Sequence, residues 1–291
     1  LLQGKKNENI GCLKKYPYLC NRLMNSPTFI QNNEEACRFL TTGFFFQTDL
    51  YDITMIIKVC GMRDPENIRA VSALDIDLLG FVFYPKSPRF VRMIPSGAGI
   101  VPDYSQERLE SVSGSSEAVK RNQGKRLQRV GLFIDDMPQN IITRVYNYQL
   151  DYVQLHGNEP RTTCDNLRST IDPDIRPGIK IIKTIRVRTE SDLNQCREYE
   201  GAVDLFIFDT RNNTADDTGK HFDPTLLAHY DGEIPFLLSG GIGPDDTDKV
   251  LDFDHPKCVG INLNLYFEIA PAVKDVDKLN AFISKIRQNK R

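Results

Sequence analysis

The chain has no apolar run approaching the roughly 18 to 20 residues that would cross a bilayer as a helix. Its densest apolar patch near the start, Phe44-Phe45-Phe46, is too short for the core of a secretion signal, and no small-residue cleavage site follows it. An excess of charge of one sign is missing too. With 37 Lys and Arg against 39 Asp and Glu, the formal net charge is −2, which gives no electrostatic footing for nucleic acid or an anionic membrane surface. Metal-ligand spacing is absent as well. The seven cysteines (Cys12, Cys20, Cys37, Cys60, Cys164, Cys196 and Cys258) form no CxxC pair, and the four histidines (His156, His221, His229 and His255) show neither HxH nor HxxxH spacing. The expectation is a metal-free protein without a disulfide framework, in the reducing cytoplasm.

What is present is a regular strand–helix pattern. From Met55 onward, short β-branched or apolar runs alternate with helix-like segments: residues 56–60, 78–84, 129–135, 151–156, 180–185, 203–209, 235–240 and 258–264. Their starts are spaced by roughly 22 to 32 residues, the length of one βα unit, with one gap of about 50. That gap, at about 93–127, holds the loop-like "MIPSGAGIVPDYS" and "SVSGSSEAVKRNQGK" and reads as an insertion. Helical stretches fit the intervals: "DPENIRAVSAL" with Asp64 as N-cap and Pro65 in the first turn, "MPQNIITRVYNY", "TESDLNQCREY" and "KDVDKLNAFISKIRQ". Eight such units over 55–291 predict an α/β fold of the (βα)8 TIM-barrel class. A doubly wound open sheet is the alternative, but no GxGxxG follows the first strand.

Residues 1–54 lack this alternation, carry scattered lysines and turn-prone "KKYPYL" and "NSPTF", and begin with Leu, whereas Met55 directly precedes the first strand. They are expected to be an irregular N-terminal extension outside the core, either weakly ordered or non-native, with a targeting peptide or partner-binding arm as the other readings.

A barrel of this class carries its site at the C-terminal strand ends. Those ends are Cys60, Tyr84-Pro85, Asp135, His156, Arg186, Asp209, Ser239-Gly240-Gly241 and Asn262-Leu263-Asn264. Alternation places Lys58 and Cys60 on one face, as it does Gln154 with His156 and Ile207 with Asp209. A strand made only to fill a core has no use for Lys58, but a cation one layer beneath a thiol favours the thiolate, which can act as base or nucleophile. A lone strand cysteine is more often an inert hydrophobe, Asp209 could merely cap its loop, and His156 could be a satisfied packing residue. In "LLSGGIGPDD", Gly240 and Gly241 let backbone amides approach an anion, with "GPDD" opening a helix behind them. "PKSPRF" holds Lys86 and Arg89 in a Pro-stiffened loop over the mouth, where a guanidinium suits a carboxylate. Barrel strands one and six lie three steps apart, so Cys60 and Asp209 would face each other across a substrate, one removing a proton and the other donating one.

At these residues the sequence resembles the phosphoribosylanthranilate isomerase family of tryptophan biosynthesis. The blocks that carry the likeness are "IIKVCGMRDPENI", "LGFVFYPKSPRFV", "VGLFIDD", "DYVQLHGNE", "IKTIRV", "FIFDT", "TGKHFD", "LLSGGIGPDD" and "APAVKDVDKL", in order from Met55 to about Arg287. The resemblance implies a (βα)8 barrel, monomeric or homodimeric, that performs an Amadori rearrangement without metal or cofactor. It implies Cys60 as general base, Asp209 as general acid, and Arg89 on the anthranilate carboxylate. Gly219, Lys220, Gly240 and Gly241, with the eighth-strand loop, match the phosphate site, and Lys58, His156, Asn262 and Asn264 complete the expected substrate-binding set.

Two stretches depart from the pattern. The family's eighth strand usually reads D-V-S-S-G-V-E or D-L-N-S-R-F-E, whereas "NLNLYFE" puts Asn262 in place of an acid and Leu265 in place of a serine. The family's GxGK is reduced to "DDTGK" at 216–220. A lost hydroxyl bond to phosphate is expected to cost about 1.5–3 kcal/mol, so a non-catalytic or weakened phosphate-ligand-binding barrel is the second reading. A related isomerase acting on a histidine-pathway aminoaldose is the third. Its chemistry typically employs two aspartates, against which Cys60 argues.

Overall fold

The computed structural model describes residues 55–96, 99–102, 126–210 and 223–289; for 93–96 and 99–102 only the backbone is described. The extension 1–54, most of the insertion, and Gly219 and Lys220 lie outside the described residues.

Eight parallel strands close on themselves in the order β1-β10-β9-β8-β7-β6-β5-β2. These are β1 (Ile56–Val59), β2 (Leu78–Val82), β5 (Gln128–Phe133), β6 (Tyr152–Leu155), β7 (Lys180–Arg186), β8 (Leu205–Asp209), β9 (Phe236–Ser239) and β10 (Cys258–Leu263). They are the eight runs expected from the sequence. Pairing of β1 with β10, from Ile56 opposite Gly260 to Val59 opposite Leu263, closes the ring. Outward-facing residues such as Val59, Phe81, Phe133, Val153, Phe206 and Phe208 form the main core with the surrounding helices. Inside the ring, Leu78, Val130, Tyr152, Ile182, Leu205, Ile207 and Leu237 make an apolar floor. Cys60, Val82 and Leu132 pack together near the mouth, which is the layered filling that such a barrel requires.

Helix α1 (Pro65–Ser72) starts where Asp64 accepts a bond from the Asn67 amide at 2.8 Å. Helix α2 (Pro138–Tyr148) ends on Gln149 in the left-handed conformation. Helices α3 (Arg161–Ile171) and α5 (Val276–Asn289) cover further faces of the ring. The stretch "TESDLNQCREY" is helical as expected, but it winds as a 3₁₀ helix (Glu190–Tyr199) behind a Thr189–Asp192 capping box.

Two local expectations need correction. The start of the insertion is not loop: β3 (Met93–Ser96) and β4 (Gly99–Pro102) form an antiparallel hairpin. Ile94, Ile100 and Val101 favour extended backbone. "GPDD" does not open a helix directly behind the glycines either. The Gly243 amide donates to Asp246 Oδ2 at 2.8 Å in a closed turn, and α4 (Thr247–Asp252) begins only afterwards.

Candidate active site

A pocket at the C-terminal mouth of the barrel is lined by Cys60, Gln154, His156, Asp209, Gly241, Asn262 and Asn264, among others. Cys60 follows β1 and Asp209 ends β8, both almost fully buried. Three strand steps separate β1 from β8 through β10 and β9, so the thiol and the carboxyl group stand on different sides of one pocket.

Glycines explain how Cys60 and Lys58 come together. A Cβ at Gly80 on neighbouring β2 would lie 2.9 Å from Cys60 Sγ and 3.1 Å from Lys58 Nζ. Thiol and ammonium therefore flank one methyl-sized position, which only glycine leaves open to both. Lys58 is fully buried and donates to Asn262 Oδ1 at 2.9 Å. Asn262 Nδ2 in turn donates to Ser239 Oγ at 2.9 Å. The expected layering of Lys58 beneath Cys60 is present, and a neutral amide is its hydrogen-bond partner. Gly61 turns the chain away at φ +82°, where a Cβ would meet Arg89 Cδ at 2.6 Å and Asn264 Oδ1 at 2.7 Å.

Arg89 reaches this corner but is engaged. Its Nε donates to Glu268 Oε1 at 2.8 Å and its Nη2 to Oε2, a bidentate pair. Glu268 also accepts from Lys274 Nζ at 2.8 Å. Lys274 is fully buried and donates to Asn264 Oδ1 at 2.7 Å. Asn67 grips its backbone in both directions, donating to the Lys274 carbonyl and accepting from its amide. Burial pushes the Lys274 ammonium down to about 8, against the opposing pull of Glu268 and Cys60. Burial opposes ionisation of Glu268, yet the hydrogen bonds from Arg89 and Lys274 hold its carboxyl below the ordinary range. Neither Glu268 nor Lys274 was anticipated. The signal available was a lysine embedded in the apolar "APAVK" six residues after a glutamate.

Gly240 and Gly241 both take positive φ, +108° and +98°, behind β9, and Gly241 lines the pocket. The half-exposed Leu265 and Tyr266 line it too. His156 sits at the pocket wall, its amide bonded to the Phe133 carbonyl at 2.9 Å. Of the expected residues, the structure thus gathers Lys58, Cys60, Arg89, His156, Asp209, Gly240, Gly241, Asn262 and Asn264 at one end of the barrel.

Comparison with known proteins gives this arrangement its relatives. Residues 93–285 match the family described as N-(5'phosphoribosyl)anthranilate (PRA) isomerase. N-(5'-phosphoribosyl)anthranilate isomerase of Parabacteroides distasonis is 42% identical over 232 residues, covering 80% of this chain and 93% of that protein. The enzyme of the same name from Phocaeicola vulgatus is 36% identical, covering 80% and 98%. The crystal structure of phosphoribosyl anthranilate isomerase from Thermotoga maritima superposes with a TM-score of 0.59 at 26% identity, over 80% of this chain and 99% of that one. An isomerase of the same name, solved in complex with reduced 1-(o-carboxyphenylamino)-1-deoxyribulose 5-phosphate, gives 0.56 at 24% identity over the same shares. Sequence blocks, closed barrel and relatives agree, and the chain belongs to the N-(5'-phosphoribosyl)anthranilate isomerase family.

Proposed function

We infer that this chain catalyses the Amadori rearrangement of N-(5-phosphoribosyl)anthranilate to 1-(2-carboxyphenylamino)-1-deoxyribulose 5-phosphate, as an aldose–ketose isomerase of tryptophan biosynthesis. The placement of Cys60 and Asp209 on different sides of one mouth pocket carries the mechanism. Asp209, as the acid, gives its proton to the furanose oxygen as the C1′–O bond breaks, leaving a Schiff base. Cys60, as thiolate, removes the C2′ proton from the other side to give the enolamine. C1′ then takes up a proton as the enol hydroxyl gives one up, so the sum is an isomerisation.

Lys58 favours the thiolate from one layer below. Arg89, with one edge committed to Glu268, directs Nη1 to the anthranilate carboxylate. Gly219, Lys220, Gly240, Gly241 and Asn264 take the phosphate, while His156 and Asn262 contact the ligand between the two ends. The four described cysteines are free thiols, which suits a cytoplasmic enzyme, acting on a small molecule as monomer or homodimer. Residues 55–291 form the catalytic domain, and 1–54 an extension outside it.

The test is turnover of freshly generated phosphoribosylanthranilate, followed by loss of its fluorescence. Cys60→Ala and Asp209→Asn should each lower kcat by at least about 100-fold while the reduced product analogue still binds; a wild-type kcat in either refutes that assignment. The apolar Leu265 and Tyr266 on the pocket wall favour the second reading, a non-catalytic or weakened phosphate-ligand-binding barrel. That reading requires analogue binding without turnover in the unmodified chain.

A further inference from the structure

Gln154 sits at the middle of β6 with its side chain in the barrel interior, 1% exposed. Its Nε2 donates to Thr184 Oγ1 on β7 at 3.0 Å. With the amide so placed, its oxygen is the atom turned away from Thr184. Its Oε1 is buried in the wall of the mouth pocket and has no hydrogen-bond partner among the described residues. Donors around the same pocket are directed elsewhere: Asn262 Nδ2 to Ser239, Lys58 Nζ to Asn262, and Lys274 Nζ to Asn264 and Glu268. A buried carbonyl oxygen left without a donor is costly, and native interiors rarely keep one without a reason.

We propose that Gln154 Oε1 is a substrate-binding group that accepts a hydrogen bond from a hydroxyl of the sugar chain. This rests on the isomerase reading and adds to it the means by which the site recognises the part of the substrate between its two anions. Neither the phosphate nor the carboxylate can be the donor, because an ionised acid has no proton to give. The sugar hydroxyls are neutral donors, and ring opening adds one more at C4′. Placement agrees with this choice. Gln154 lies on the fourth barrel strand, three strand steps from β9 and its glycine turn, and it lines the same pocket as Cys60 and Asp209. Thr184 is then a positioning residue that holds the Gln154 amide at the pocket wall.

Two ligands separate this role from a structural one in the full-length chain. One is the reduced product analogue, which carries the sugar hydroxyls. The other is the matching hydroxyl-free pentyl phosphate of the carboxyphenylamine, which keeps both anions. Gln154→Met should weaken the hydroxylated analogue by about tenfold and leave the hydroxyl-free one within about twofold. Equal weakening of both ligands, or of neither, overturns the proposal. Thr184→Val, which retains the amide but releases it, should lower affinity for the hydroxylated ligand alone, and it decides the matter if Gln154→Met does not fold. Turnover by the unmodified chain with an unchanged analogue affinity in these variants would remove the role of Gln154 and leave the isomerase reading standing.

Discussion

At the scale of single residues, the site depends on side chains that are missing as much as on those that are present. Gly80 is the clearest case. A methyl group there would stand 2.9 Å from the Cys60 sulfur and 3.1 Å from the Lys58 ammonium, closer than ordinary contact, with both neighbours buried. The Cys60 side chain and backbone, both within 3.1 Å of that methyl group, could yield only by shifting the thiol within the mouth pocket. Gly80→Ala should therefore cost about 1–3 kcal/mol of stability through overpacking. It should also lower kcat by roughly 10- to 100-fold, because small misplacements of a reacting group are expensive. Urea unfolding and initial rates on the same preparation check both effects; a normal kcat would mean that Lys58 and Cys60 tolerate displacement.

At the scale of elements, strand ends and helix starts were legible in the sequence for different physical reasons. Alternation and the βα spacing exposed all eight barrel strands, and "DPEN" exposed the cap of α1 because Asp and Pro act on their own neighbours. Helix α3 and the β3–β4 hairpin went unnoticed, since "RTTCDNLRSTI" has few apolar positions and "MIPSGAGIVP" mixes strand formers with turn residues. In the site, Cys60 and Asp209 were legible as chemistry-bearing ends of apolar runs. Glu268 and Lys274 were not, because their meaning comes from Arg89 and Asn67, about 180 to 207 residues away in sequence.

The short antiparallel pair β11 (Glu268–Ala270) and β12 (Val273–Lys274) carries that network. Its lysine gives a sign-definite test. Lys274 has an ordinary value of 10.5 and is pushed to about 8 in the fold by burial. Below pH 8 it is charged in both folded and unfolded chains, and the cost of burying the charge is fully present. Between pH 8 and 10.5 the folded chain has released the proton and the unfolded chain still holds it, so this group's contribution to stability rises with pH. Urea unfolding across that window should show wild type gaining on Lys274→Met. Titration of the tyrosines and other cysteines is common to both and cancels. Parallel curves would show that Glu268 and Cys60 keep Lys274 charged throughout, against the repulsion of Arg89.

At the scale of the whole molecule, the C-terminal segment fastens the first strand at both ends. Above, Glu268 and Lys274 brace Arg89 and Asn264 around the residue after Cys60. Below, Arg287 of α5 donates to the Met55 carbonyl at 2.6 Å and to Asp77 Oδ2 at 2.8 Å, and Asp77 Oδ2 also accepts from the Ile57 amide. The lower fastening joins α5 to β1 and to the start of β2 at the end of the barrel remote from the pocket. Stability and chemistry should accordingly separate. Arg287→Ala leaves the Asp77 carboxylate with less compensation in a buried setting and should cost about 2–4 kcal/mol of unfolding free energy. It should change kcat by less than about twofold in the molecules that remain folded. Arg89→Ala should do the reverse in kind, raising KM for phosphoribosylanthranilate by more than it lowers kcat. Denaturation midpoints and full kinetic curves on the two variants decide it. If Arg287→Ala lowered kcat as far as a change at the mouth does, the two ends of β1 would have to be coupled along its length, and the barrel could not be divided into a stabilising floor and a catalytic rim.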